Sequence, residues 1–299
     1  MIKQISTALR CGILSAFFGA NVFADQLGNS SGMSPSVTGP EASEKQIELC
    51  QIRSQQFASE EDYQYFVKNC FQHFLSAALP GAVKYSEDRK ILAFGHQDLL
   101  FAQVDDEKFV IGGKSSQLKN IREVAIDKKH AELVVLDKEK ILYFELGKSG
   151  NLAPKRGLLG PWIKSADSLS IAHKRSELYL LNSTLKRILV YDLSTDMLYK
   201  SRMKKAKAKR EHFSKNSEVS GGEKISVCEM ADSTNDNLVI LDQNAGKLTQ
   251  FKLSANSLVE KFQVLKIQTG IRAQALQCRA GKIEILNSDG RVFNFEFSE

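Results

Sequence analysis

The chain has 299 residues and a formal net charge of +6, enough length for one large domain with a small accessory element. Residues 201–215 alone hold seven basic side chains and a single acid, so the positive excess belongs to one segment and not to the protein as a whole. Beyond the N-terminus no stretch approaches 18 consecutive apolar residues, which excludes a membrane-spanning helix from the mature chain.

Residues 1–24 have the composition of a secretory signal. Lys3 and Arg10 are positive, Cys11 to Val22 form a short apolar run, and Val22-Phe23-Ala24 offers small residues before a cut at Asp25. This predicts a periplasmic or secreted protein. Residues 25–42 are rich in Gly, Ser and Pro without an apolar period and read as a flexible linker.

Residues 43–80 change character and predict an α-helical hairpin. Ser59-Glu60-Glu61-Asp62 is a helix start, with a capping Ser and acids in the first turn. Behind it Tyr63, Phe66, Val67, Cys70, Phe71, Phe74, Leu75 and Ala78 keep a helical period up to Pro80-Gly81. That face is either packed against the following domain or open as a groove for another protein.

From residue 81 to 299 the chain repeats itself. Four phrases recur: Glu132 to Asp137, Glu177 to Asn182, Asn237 to Asp242 and Lys282 to Asn287, with a weaker copy at Lys90 to Gly95. Their last apolar residues, Phe94, Leu136, Leu181, Leu241 and Leu286, are spaced by 42, 45, 60 and 45 residues. An apolar residue stands seven positions before each phrase's first apolar residue (Ile126, Ile171, Leu276, with Met230 or Ala231 in the fourth copy), and a second alternating run follows each phrase after a short turn. Runs of this composition bounded by Asp, Asn, Gly and Ser are antiparallel strands, and a period in the forties built of short strands is that of a propeller-like array. The longer interval contains an insertion, residues 204–222, that reads as a basic loop.

This grammar resembles the β-propeller repeats of the NHL, YVTN and TolB-like groups, and Tyr85 to Phe94 is similar to the strand-turn-strand hairpin of TolB-type blades. The resemblance implies an all-β propeller of about five, or six, four-stranded blades preceded by the helical hairpin. It is specific for architecture and uninformative about activity. The last repeat ends after its third strand, and the segment before the first blade is a candidate for its missing fourth.

Four cysteines remain after the signal. An even count in an oxidising compartment predicts disulfides. Cys50 and Cys70 fall on the two apolar helix faces at distances from the turn that allow a bridge, and Cys228–Cys278 then follows, linking the last two repeats.

No catalytic motif, Gly-rich phosphate loop or metal-binding spacing is present, and no cofactor is predicted. His130 and His173 stand near turns, where exposure to solvent is the ordinary state. Asp137, Asn182, Asp242 and Asn287 recur at one point of the repeat. They suit a strand-ending turn far better than a ring of metal ligands. The composition favours a non-catalytic scaffold that binds a protein partner in the cell envelope, with Arg202, Lys204, Lys205, Lys207, Lys209 and Arg210 as contacts for an anionic partner. The insertion lacks stacking aromatics beyond Phe213, which argues against nucleic acid. The alternative is a periplasmic propeller hydrolase or lactonase with an axial metal.

Overall fold

In the computed structural model the chain is mostly β. The structure describes residues 48–50, 59–71, 74, 84–86, 90–193 and, with short gaps, 203–296. The predicted signal peptide, the linker and much of the predicted helical hairpin lie outside the described residues.

Five sheets follow one another along the chain. The first is β1 (Lys84–Tyr85), β2 (Ile91–His96), β3 (Leu99–Val104) and β4 (Glu107–Ile111). The second is β5 (Glu123–Asp127), β6 (Glu132–Leu136), β7 (Lys140–Glu145) and β8 (Arg156–Leu159); β8 leads into the short helix Pro161–Lys164. The third begins with β9 (Ser168–Ala172), β10 (Glu177–Asn182) and β11 (Arg187–Asp192). After two further strands, β12 (Met203–Lys205) and β13 (Arg210–Phe213), the fourth sheet is β14 (Lys224–Cys228), β15 (Asp236–Asp242), β16 (Lys247–Leu253) and β17 (Val259–Lys266). The fifth has β18 (Ala273–Arg279), β19 (Lys282–Asn287) and β20 (Val292–Glu296). Consecutive strands within each sheet pair antiparallel.

The recurring phrase is the second strand of every sheet. In β6 and β10 every residue is buried on both faces, because each sheet packs between two neighbours. Alternation then divides the side chains: Leu133 and Val135 join the core shared with the first sheet, while Val134 and Leu136 join the core shared with the third. Two further cores join the third sheet to the fourth and the fourth to the fifth. Sheets that each hide two apolar faces must stack in series, which is why the unit repeats.

The outer face of the first sheet is covered differently. Leu92, Phe94, Leu99, Phe101 and Val110 pack against Cys50, Phe66, Cys70, Phe71 and Phe74 of the N-terminal helical segment. Phe71 meets the rings of Phe94 and Phe101 edge-on, at 5.3 and 5.8 Å between centroids. The aromatic helix face is therefore core. Its first turn, the helix Glu60–Tyr65, starts as the sequence predicts, with Ser59 Oγ accepting from the Asp62 amide at 3.1 Å. Both predicted disulfides are present. Cys50–Cys70 pins the helical segment, and Cys228–Cys278 joins β14 to β18.

Three details depart from the sequence reading. The insertion is not all loop: β12 crosses back to pair parallel with β8 as a fifth strand of the second sheet, and β13 completes the third sheet beside β11. The segment before the first repeat, β1, pairs with β2 of its own sheet and does not complete the fifth. The spacing of seven holds in the second and third sheets, where Ile126 opposes Leu133 and Ile171 opposes Leu178. In the fourth and fifth, Val227 opposes Leu238 and Cys278 opposes Ile283, because those hairpin connections differ in length.

Candidate functional site: the cavity between the first strands

A cavity of about 370 Å³ is lined by residues of all five sheets: Lys84 and Ser86, then Ala125 to Lys129 in part, Leu169 to His173 in part, Ser226, Val227 and Glu229, and Gln277 with Cys278. These lie on, or directly after, the first strand of each sheet. A first strand pairs on one edge only, so its other edge presents peptide groups toward the cavity that need partners.

Side chains of the neighbouring sheet supply them in sequence. The Leu169 amide donates to Glu123 Oε2 at 2.9 Å. The amides of Ile225 and Val227 donate to Ser168 Oγ and Ser170 Oγ at 3.1 and 3.0 Å, and the Cys278 amide donates to Ser226 Oγ at 3.0 Å. Lys84 then links the two ends of the chain of sheets. Its Nζ donates to the Leu276 carbonyl of β18 at 3.0 Å and lies 3.5 Å from Glu123 Oε1 of β5. Contacts thus run from β1 to β5, β9, β14, β18 and back to β1.

Lys84 and Glu123 are both largely buried. Burial pushes the Lys84 ammonium below its ordinary pKa, and the Glu123 carboxylate opposes that shift. At the rim, Asp127 is buried between two histidines: its Oδ2 is 2.7 Å from His130 Nδ1, and its Oδ1 is 3.9 Å from His173 Nδ1. The expectation of a solvent-facing side chain is corrected for His130. The buried Asp127 carboxylate beside the turn draws His130 inward, to 13% side-chain exposure, whereas His173 keeps 36%. Lys129 Nζ donates to Ser176 Oγ at 2.7 Å, tying the turns of the second and third sheets together.

The recurring Asp and Asn residues stand at the opposite ends of the strands, where Asp137, Asn182 and Asp242 bond backbone. Asn182 Oδ1 accepts from the Leu185 amide and Asp242 Oδ1 from the Ala245 amide, each closing the turn after the second strand. Asp137 Oδ1 accepts from the amides of Lys119 and Asn120. Among the described residues no three His, Cys, Asp or Glu side chains are grouped to hold a metal ion.

Of the basic contacts singled out in the sequence, Lys204 and Lys205 belong to β12 and Arg210 to β13, whereas Arg202, Lys207 and Lys209 lie outside the described residues. The Lys84–Glu123 link escaped the sequence reading. Lys84 precedes the weakest copy of the repeat by six residues, and only the alignment of first strands marks it.

No protein-family model matches the chain, and no curated protein matches it. Among solved structures it is similar to Kluyveromyces lactis Hsv2, at 12% identity over 62% of this chain and 61% of that one, with a TM-score of 0.41. It is also similar to KlHsv2 with loop 6CD replaced by a Gly-Ser linker, at 12% identity, 62% and 58% coverage and the same TM-score. The chain spans about three-fifths of the length of these proteins, and a likeness of this size carries no inference about function.

Proposed function

We propose that the chain is a closed five-bladed β-propeller acting as a non-catalytic, protein-binding scaffold of the cell envelope, periplasmic or secreted. The observation that supports it best is the circuit of contacts around the cavity. Each sheet's first strand is fastened to the next, and Lys84 fastens the first to the last. The polar groups at this axis spend their bonds on strand peptides and on one another, which is what a rigid support needs and not what a nucleophile–base pair needs. Two disulfides suit an oxidising compartment, and the leader composition suits export. The kinship is with the NHL, YVTN and TolB-like repeats, on the strength of the second-strand phrase. Arg202, Lys204, Lys205, Lys207, Lys209 and Arg210 supply contact with an anionic partner.

The test is a pull-down from native envelope with the mature chain as bait, under mild crosslinking and at two salt concentrations. One stoichiometric protein partner supports the scaffold, and its loss at high salt implicates the basic segment. Recovery of no protein partner contradicts the reading.

A further inference from the structure

The face opposite the cavity rim carries a second feature, built where the second and third sheets meet. Strand β8 ends in Leu159, which keeps 38% of its surface exposed although it lies in a sheet. Lys140 opposes Leu159 on one side and Lys205 on the other. The chain then turns through Gly160 and exposed Pro161 to Trp162, which is half-buried. The Trp162 carbonyl accepts from Asn182 Nδ2 at 2.9 Å, and the Arg187 guanidinium lies 5.1 Å from the indole centroid. The turn 183–187 therefore flanks the indole through Arg187.

The charges on this face are mostly of one sign. Lys138, Lys164 and Lys186 are exposed and Lys140 and Arg187 half-buried. Lys164 keeps 68% of its side-chain surface exposed. The exposed acid among them, Glu139, lies 3.7 Å from Lys164. Asp137 is buried on the amides of Lys119 and Asn120, and Asp167 accepts from the Ser183 amide. A half-buried indole and an exposed leucine ringed by lysines form an amphipathic surface, apolar at the centre and cationic at the edge. That is the arrangement that seats a protein at the headgroup level of an anionic bilayer.

We propose that this face docks on an anionic phospholipid bilayer, with Trp162 and Leu159 at the interface and Lys138, Lys164, Lys186 and Arg187 against the phosphates. The exposed apolar centre favours a bilayer over an acidic protein, whose contact would require only the charges. The inference goes beyond the scaffold reading and does not depend on it, since no partner protein is required.

Trp162 is the sole tryptophan, so its fluorescence reports this face directly. The experiment adds the mature chain to vesicles of phosphatidylcholine, with and without phosphatidylglycerol, some carrying brominated acyl chains. The expected result is co-sedimentation, a blue shift and bromine quenching with the anionic vesicles only. Lys164→Glu/Lys186→Glu, with an unchanged unfolding temperature, is expected to lower vesicle partitioning by about tenfold or more. Absence of binding overturns the proposal. So does binding without quenching of Trp162, which would place the contact elsewhere, or binding that the double variant leaves unchanged. A protein partner found in the pull-down with no vesicle binding would leave the scaffold standing and this inference refuted.

Discussion

Lys84 Nζ donates to the carbonyl of Leu276 across a separation of 192 residues, joining β1 of the first sheet to β18 of the last. The same ammonium group faces Glu123 in the second sheet, so one buried cation touches three sheets around the cavity. Removing one partner of a buried ion pair typically costs about 3 kcal/mol or more, because the remaining charge stays behind without compensation. The link is thus a point where a small change has consequences at both ends of the chain.

Gly95 of β2 sits where the first sheet meets the segment leading into the second, at Ile121. A Cβ there would lie 2.7 Å from Ile121 Cβ and closer still to its Cγ2. Gly95→Ala should destabilise the fold by about 1–3 kcal/mol through overpacking, measured by urea unfolding. Adding Ile121→Ala should recover part of the loss specific to the clash, giving a coupling energy of the opposite sign. A purely additive double variant would contradict this close approach.

Cys228 and Cys278 tie the fourth and fifth sheets across 50 residues. Cys228→Ala/Cys278→Ala should lower stability by about 2–4 kcal/mol, the usual effect of a crosslink closing a loop of this size. Reductant should then have a smaller effect on this variant than on the parent, leaving only the contribution of Cys50–Cys70. Thermal unfolding with and without reductant measures both.

Glu223 is partly buried near Asp242, with Asn244 Nδ2 donating to its Oε1 at 3.0 Å. Burial, reinforced by the Asp242 charge, pushes its carboxyl above the ordinary value of 4.5. The folded state therefore holds this proton more tightly than the unfolded state does. Its contribution to stability falls as pH rises from 4.5 through the raised folded value. Glu223→Gln removes that fall while preserving an acceptor for Asn244. The variant should gain stability relative to the parent at pH 7 and show little difference at pH 4, in denaturant titrations at both values.

Much of this architecture is legible in the sequence because the second strands of the inner sheets, β6 and β10, are buried on both faces and carry an apolar run. The phrase at Leu133 to Leu136 or Leu178 to Leu181 therefore stands out. The disulfides are legible too, since so few cysteines remain to be paired. First strands are harder to read. They face a cavity on one edge, and their partners are side chains of another repeat, as Ser168 is for Ile225, so no local pattern marks them. β12 is hidden for a related reason: a run dominated by Lys looks like solvated loop, and only the free edge of β8 turns it into a strand.

In the proposed propeller the five first strands close into a ring through Lys84. Native-state hydrogen exchange of Lys84→Met against the parent tests it most directly, because exchange reports local opening segment by segment. A closed ring predicts faster exchange in residues 84–96 and, at the same time, in residues 273–279 of β18. Faster exchange confined to 84–96 and the neighbouring β5, with β18 unchanged, would contradict closure and leave an open stack of sheets.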